Sequence, residues 1–161
     1  MREAPALITT NIQYLVDEAD TSQSMGTARR VLVVDDDEGV RLLFARALMM
    51  DGYAVAVAAT AEEALHKIEQ GRPDAILLDL KMPVINGVGL LYRLREDPAN
   101  DDIRVALITG SSALDEATVN DLQVLNAQVW HKPLSIKDVQ QIARTLLTGS
   151  TSNDSDSATA P

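Results

Sequence analysis

The sequence predicts an α/β chain built on a doubly wound sheet of five parallel strands. Two observations carry this. Short apolar runs bounded by turn formers alternate five times with longer segments whose apolar residues recur at helical spacing. Each run gives way to polar side chains at its end, and parallel strands need helical crossovers to bring the chain back to the same edge. In sheets of this type ligands bind beyond the carboxyl ends of the strands, so function is expected there.

The elements follow in order. Val31-Leu32-Val33-Val34 is a β-branched run that reads as the first buried strand, and it ends in three acids, Asp35, Asp36 and Asp37. A helix follows, with Val40, Leu43, Phe44, Ala47 and Leu48 on its inward stripe and Gly52 just past its end. Tyr53 to Ala58 is the second strand. Thr60 and Glu63 have the spacing of a capping box, in which hydroxyl and carboxylate satisfy free amides at a helix start, and that helix runs through Leu65 and Ile68 to Gly71.

The third run, Ala75-Ile76-Leu77-Leu78-Asp79, is continuously apolar until it delivers a carboxylate to its own end, with Gly71, Pro73 and Pro83 as flanks. A lone aspartate here would more often cap a helix or face solvent. Asp79 stands out because other acids converge on the same end of the sheet. After the turn from Met82 to Gly87, a third helix carries Leu90, Leu91 and Leu94 and is closed by Pro98. Arg104 to Ile108 is the fourth strand, ending at Thr109-Gly110-Ser111-Ser112. Val119, Leu122 and Leu125 mark a fourth helix, and Gln128 to His131 a fifth strand that leads into Lys132-Pro133. Ser135 and Asp138 form a second capping box, and Ile136, Val139, Ile142, Ala143, Leu146 and Leu147 stripe the last helix.

A chain of 161 residues is long enough for one domain with a proper core and too short for two comfortable ones. The expected organisation is an arm over 1–28, mostly disordered, with Ile8, Ile12, Leu15 and Val16 spaced for a short amphipathic helix, then one domain over 29–147, then a disordered tail over 148–161 rich in Ser, Thr, Asp and Ala. Aromatics are only 3% of the chain, so aliphatic residues and alanine must fill the core. The net charge of −10 argues against a nucleic-acid surface, which needs clustered Lys and Arg. Cysteine is absent, which excludes a disulfide framework and thiolate metal sites and fits a reducing cytoplasm. The apolar N-terminal stretch is broken by Thr9, Thr10, Asn11 and Gln13, so neither a signal peptide nor a membrane span is expected there.

Neighbouring strand ends in such a fold bring together Asp35, Asp36, Asp79, Thr109 and Lys132. Three carboxylates in one place repel each other, which raises a pKa or demands a cation. Magnesium suits the task, since it prefers oxygen ligands and is held by one or two carboxylates plus a phosphate. Lys132 offers a point charge and Thr109 a hydroxyl for phosphoryl oxygens. Asp79 can then be a nucleophile that forms an acyl phosphate.

The runs Val31-Leu32-Val33-Val34-Asp35-Asp36, Leu77-Leu78-Asp79-Leu80-Lys81-Met82-Pro83 with Gly87, Ile108-Thr109-Gly110 and Lys132-Pro133 resemble the receiver domain of bacterial response regulators. Four separate motifs in the right order make the likeness specific, and it covers roughly residues 29 to 147. The resemblance implies a flavodoxin-like (βα)5 receiver fold and a phosphoryl group accepted on Asp79 from a histidine kinase or histidine phosphotransfer protein. It implies a signalling protein whose only catalysis is its own aspartyl phosphorylation and dephosphorylation. It also implies Mg2+ held by Asp36, Asp79 and the backbone carbonyl of Lys81, with Asp35 acting mainly through water. By the same likeness Thr109 and Lys132 contact the phosphoryl group, Lys81 and Ser111 tune its lifetime, and the peptide before Pro133 is cis. Asp37 and Glu38 are expected to serve the start of the first helix. Output is expected through docking on the face of the fourth helix, fifth strand and fifth helix, in a stand-alone receiver with an unnamed protein target, no nucleic acid and no membrane.

One position departs from the family pattern. An aromatic residue is common three positions before the lysine, and here that position is Val129; Trp130 beside it should point to the opposite face of its strand. This leaves two rivals. A degenerate receiver would bind partners without phosphorylation. A haloacid dehalogenase-type phosphatase would use Asp35 and Asp37 as its paired acids, but Gly39 stands where that motif wants Thr or Val, and no acid pair follows Lys132.

Overall fold

The structure is a computed structural model, and it describes residues 27–148. The expected arm and its amphipathic segment lie outside the described residues except for Thr27 and Ala28, as does the expected tail except for Thr148.

Among the described residues five strands alternate with five helices: β1 (Arg30–Val34), α1 (Glu38–Met50), β2 (Ala54–Ala58), α2 (Ala61–Gln70), β3 (Ala75–Asp79), α3 (Gly87–Arg95), β4 (Arg104–Thr109), α4 (Glu116–Val124), β5 (Ala127–His131) and α5 (Ile136–Leu147). A short 3-10 turn at Pro98–Asn100 separates α3 from β4. The strands form one parallel sheet in the order β2-β1-β3-β4-β5. Chain direction across the sheet reverses between β1 and β3, and in open α/β sheets that is where a crevice forms.

Every residue of β3 is buried, as its unbroken apolar run requires. Alternation along the central strands feeds two cores. Leu32, Val34, Ile76, Leu78, Val105 and Leu107 pack under α2, α3 and α4, while Val31, Val33, Leu77, Ala106 and Ile108 pack under α1 and α5. Fully burying a side chain of this class stabilises by roughly 1.5–3 kcal/mol, so these layers fix the register of the strand ends.

Local signals place the helix ends. Asp37 caps α1, accepting the Val40 amide at 3.0 Å. At its other end Gly52 adopts φ 91, and the Gly52 and Tyr53 amides return to the carbonyls of Met49 and Leu48, a Schellman closure. The Ser135–Asp138 box is complete. The Thr60–Glu63 pair closes differently from the expected box: Thr60 accepts the Glu63 amide, but the Glu63 carboxylate accepts the amide of Ala59, one residue before the cap. Pro98 opens the 3-10 turn instead of ending α3, which stops at Arg95.

The inward stripe of α1 is rotated from expectation. Leu43 is 44% exposed and Ala45 is buried instead. The reason is the neighbour: α1 is flanked by α5, which reaches it through Gln140 Nε2 to the Ala47 carbonyl at 2.9 Å and through a two-pronged Arg144–Asp51 pair. The covered arc therefore turns toward that side.

Candidate functional site

Register sets the site. Val34 of β1 pairs with Leu78 of β3, so the next residues, Asp35 and Asp79, arrive side by side. On the far side Asp79 pairs with Ile108, which puts Thr109 one step beyond, and the Lys132 amide donates to the Thr109 carbonyl at 2.8 Å. Carboxylate oxygens of Asp35, Asp36 and Asp79 all lie within 4.8 Å of one another. Lys132 Nζ stands 3.2 Å from Asp79 Oδ1 and 3.4 Å from Asp35 Oδ2. Asp35, Asp79 and Thr109 are buried, whereas Asp36 is exposed at the rim.

Several contacts hold these groups still. The Asp35 carboxylate accepts the Asp37 amide at 2.9 Å, and its carbonyl accepts Arg41 Nη1 at 2.8 Å. Thr109 Oγ1 accepts the Ser111 amide at 3.0 Å. Gly87 begins α3 directly against β3: its amide donates to the Leu80 carbonyl at 2.9 Å, and a Cβ here would fall 2.6 Å from the Asp79 carbonyl oxygen. Only glycine lets the helix approach the acid so closely. Asn86 caps that helix through the Gly89 amide. The Lys132–Pro133 peptide is cis.

The electrostatics follow from burial and crowding. Burial and then the Asp35 carboxylate push the Asp79 carboxyl above its ordinary pKa; Asp36 adds to this and Lys132 opposes it. Burial alone would depress the Lys132 ammonium, but Asp35 and Asp79 outweigh it and hold Lys132 above its usual value. Three carboxylates facing one ammonium leave an uncompensated charge of −2. A hard divalent cation matches that charge, and the oxygen spacing suits one. An open cleft of about 710 Å³ borders the cluster, lined by Asp36, Lys81, Met82, Asn86, Ser111 and Thr118 among others.

The structure thus brings together Asp35, Asp36, Asp79 and Lys132, with Thr109 beside them on the adjoining strand. Lys81 lies in the turn two residues past Asp79, with its side chain exposed. Val129 is 36% exposed, while Trp130 packs into the layer under α1 and α5. Sequence reasoning missed Arg41, Asn86 and the contact of His131 Nδ1 with the Ser111 carbonyl at 3.1 Å. Asn86 immediately before Gly87 was a readable cap, whereas the other two depend on loop geometry with no sequence period.

A sheet of this order, with acids at the β1/β3 switch point, defines a flavodoxin-like (βα)5 fold of the CheY type. The family model for the response regulator receiver domain matches residues 31–144, and the chain belongs to that family, the signalling modules of two-component systems. It is similar to the response regulator MprA of Mycolicibacterium vanbaalenii, at 34% identity over 125 residues, covering 78% of this chain and 53% of that protein. The transcriptional regulatory protein PrrA of Mycobacterium tuberculosis is 41% identical over 90 residues, 56% of this chain and 38% of PrrA. The chain therefore spans about half or less of the curated relatives it matches. Among solved structures, the chemotaxis protein CheY4 of Vibrio cholerae superposes with a TM-score of 0.69 at 26% identity, covering 74% of this chain and 99% of that one. The receiver domain of NtrX from Brucella abortus gives 0.66 at 26% identity, with 74% and 99% covered.

These comparisons bear on two expectations without supporting either. The curated relatives are longer than this chain, whereas CheY4 is spanned almost whole, so the stand-alone reading stays an expectation. PrrA is named a transcriptional regulatory protein, so the expected absence of a nucleic-acid role finds no support. Among the described residues no helix is long and apolar enough to cross a membrane.

Proposed function

We propose that Asp79 is the phosphoacceptor of this receiver and that a histidine kinase or histidine phosphotransfer protein supplies the phosphoryl group. The observation that carries the reading is a buried Asp79 carboxylate 3.2 Å from Lys132 Nζ, with two further carboxylates within 4.8 Å. An Asp79 oxygen attacks phosphorus, a P–O bond forms, and the P–N bond of the donor phosphohistidine breaks; its electron pair stays on the imidazole nitrogen, which is released neutral or takes a proton from water. Asp36, Asp79 and the Lys81 carbonyl are the proposed Mg2+ ligands, with Asp35 one shell further out. The ion, when bound, offsets negative charge on the transferring oxygens. Lys132 neutralises part of the same charge, and Thr109 donates its hydroxyl proton to a phosphoryl oxygen.

The phosphorylated domain signals by docking. Val119 of α4, Val129 of β5 and Ile136 of α5 are partly exposed apolar residues on consecutive elements, which supports that face as the surface used. Phosphorylation adds charge and acceptor oxygens at the strand ends and biases an existing equilibrium. Incubation with acetyl phosphate and Mg2+, read by intact mass, tests the assignment: wild type gains one phosphoryl increment and Asp79→Ala does not. Persistence of the increment in Asp79→Ala defeats it.

A further inference from the structure

We infer that His131 is a positioning residue for Thr109, acting through the backbone of Ser111, the residue whose carbonyl meets the imidazole and whose amide meets the Thr109 hydroxyl. This rests on the phosphoacceptor reading above. Side chains alternate along a strand, so 129 and 131 lie on the same face of β5. At 129 the chain carries only a valine, 36% exposed, too short to report on the β4–α4 loop. Two residues closer to the site, on that face, the imidazole does reach the loop: His131 Nδ1 is 3.1 Å from the Ser111 carbonyl oxygen. A carbonyl only accepts, so Nδ1 carries the proton.

The same residue holds the catalytic hydroxyl. The Ser111 amide donates to Thr109 Oγ1 at 3.0 Å, and the Ser111 hydroxyl donates to the Ala113 carbonyl at 2.8 Å, which stiffens the turn. Thr109 is buried, and its oxygen accepts from Ser111 while its own proton stays available for a phosphoryl oxygen. Two hydrogen bonds joined by the backbone of Ser111 therefore link His131, at the exposed edge of β5, to Thr109 in the phosphoacceptor cluster. A shift of the Thr109 hydroxyl toward a phosphoryl group pulls on the Ser111 amide and, through the Ser111 Cα, on its carbonyl, which strains or releases the His131 bond. The exposed imidazole stands on the proposed docking face, where the missing aromatic at 129 would have acted.

The test compares phosphoryl uptake from acetyl phosphate with Mg2+ in the full 161-residue chain for wild type, His131→Leu and His131→Asn, with folding checked by circular dichroism. Leucine removes the donor, and uptake is expected to slow about fivefold, equivalent to about 1 kcal/mol in the barrier. Asparagine places an amide N–H where Nδ1 sits and is expected to restore uptake to within about twofold of wild type, a difference of about 0.4 kcal/mol. In a Thr109→Ala background, His131→Leu should slow uptake no further, since the pair acts as one unit. The inference is overturned if His131→Leu matches wild type, if asparagine is no better than leucine, or if the two losses multiply. Absence of any uptake on wild-type Asp79 would instead bring down the phosphoacceptor reading, and this inference with it.

Discussion

Replacing Asp79 with asparagine should stabilise the metal-free protein, although it removes the proposed nucleophile. At an effective dielectric of about 20, two carboxylate charges 4.8 Å apart repel by about 3.5 kcal/mol, and Lys132 at 3.2 Å attracts Asp79 by about 5 kcal/mol. Asp35 contributes one such repulsion in full; Asp36 is exposed, and solvent reduces its share. Attraction and repulsion nearly cancel, so burial decides the sign, and burial is the leading cause of the raised Asp79 pKa. Neutral asparagine escapes that penalty and should gain about 1 kcal/mol, or roughly 4 °C in Tm for a domain of this size. The pH dependence has a definite sign. A carboxyl raised in the folded state supports stability fully below its ordinary pKa of 3.8 and loses that support as pH rises through the folded value. The advantage of Asp79→Asn should therefore be absent in acid and grow as pH rises through the folded value. Adding Mg2+ should reverse the ranking, because wild type gains about 1.4 kcal/mol at tenfold the dissociation constant and the variant gains less. Thermal melts across pH, with and without Mg2+, read all three outcomes. A variant less stable than wild type at neutral pH without metal, or equal stabilisation of both by Mg2+, would refute the reasoning.

Three further substitutions test the scaffold. Arg95→Ala strips the side-chain donor from three carbonyls, those of Leu125, Asn100 and Ile103, and should cost about 3 kcal/mol in urea denaturation; a loss within error of zero would show that these bonds exchange freely with water. Gly87→Ala forces a Cβ to within 2.6 Å of the Asp79 carbonyl oxygen, so stability should fall by about 2 kcal/mol and phosphoryl uptake should slow with it. Val84 is fully exposed with φ 69, a conformation β-branched residues avoid; Val84→Asn should raise stability by about 1 kcal/mol, since asparagine tolerates that backbone.

Much of this was legible in the chain because burial on both faces writes itself as an unbroken apolar run. Val31–Val34, Ala75–Leu78 and Val105–Ile108 were readable for that reason, and the acids at their ends followed. β5 was harder. It is an edge strand, most of its residues are exposed or half-buried, and only its neighbourhood with Lys132-Pro133 marks it. Helical periodicity locates α1 but not the rotation of its covered arc, because the sequence does not record that α5 packs on one side; the period points Leu43 inward, whereas Ala45 is the residue buried. Contacts made by long side chains across the fold were invisible. Arg95 reaches residues 5 to 30 positions away, and no period encodes that. The same holds for His131 and Ser111, twenty positions apart, whose meeting depends on how far the β4–α4 turn projects.

The site stores a conflict on purpose-built ground: the core that fixes the strand ends also strips water from Asp35 and Asp79. Solvated carboxylates at the same spacing would repel by only about 1 kcal/mol and would feel little change on phosphorylation. Burial makes each added charge matter by several times more, so a cation or a phosphoryl group at Asp79, as proposed, would shift the balance of the whole strand-end cluster. On the β5 side the bonded route from Thr109 runs through the backbone of Ser111 to an exposed imidazole, the path proposed above for that shift. With valine at 129, the proposed route would carry events at Asp79 to the outward face through loop position and hydrogen bonding, without a ring turning in the core.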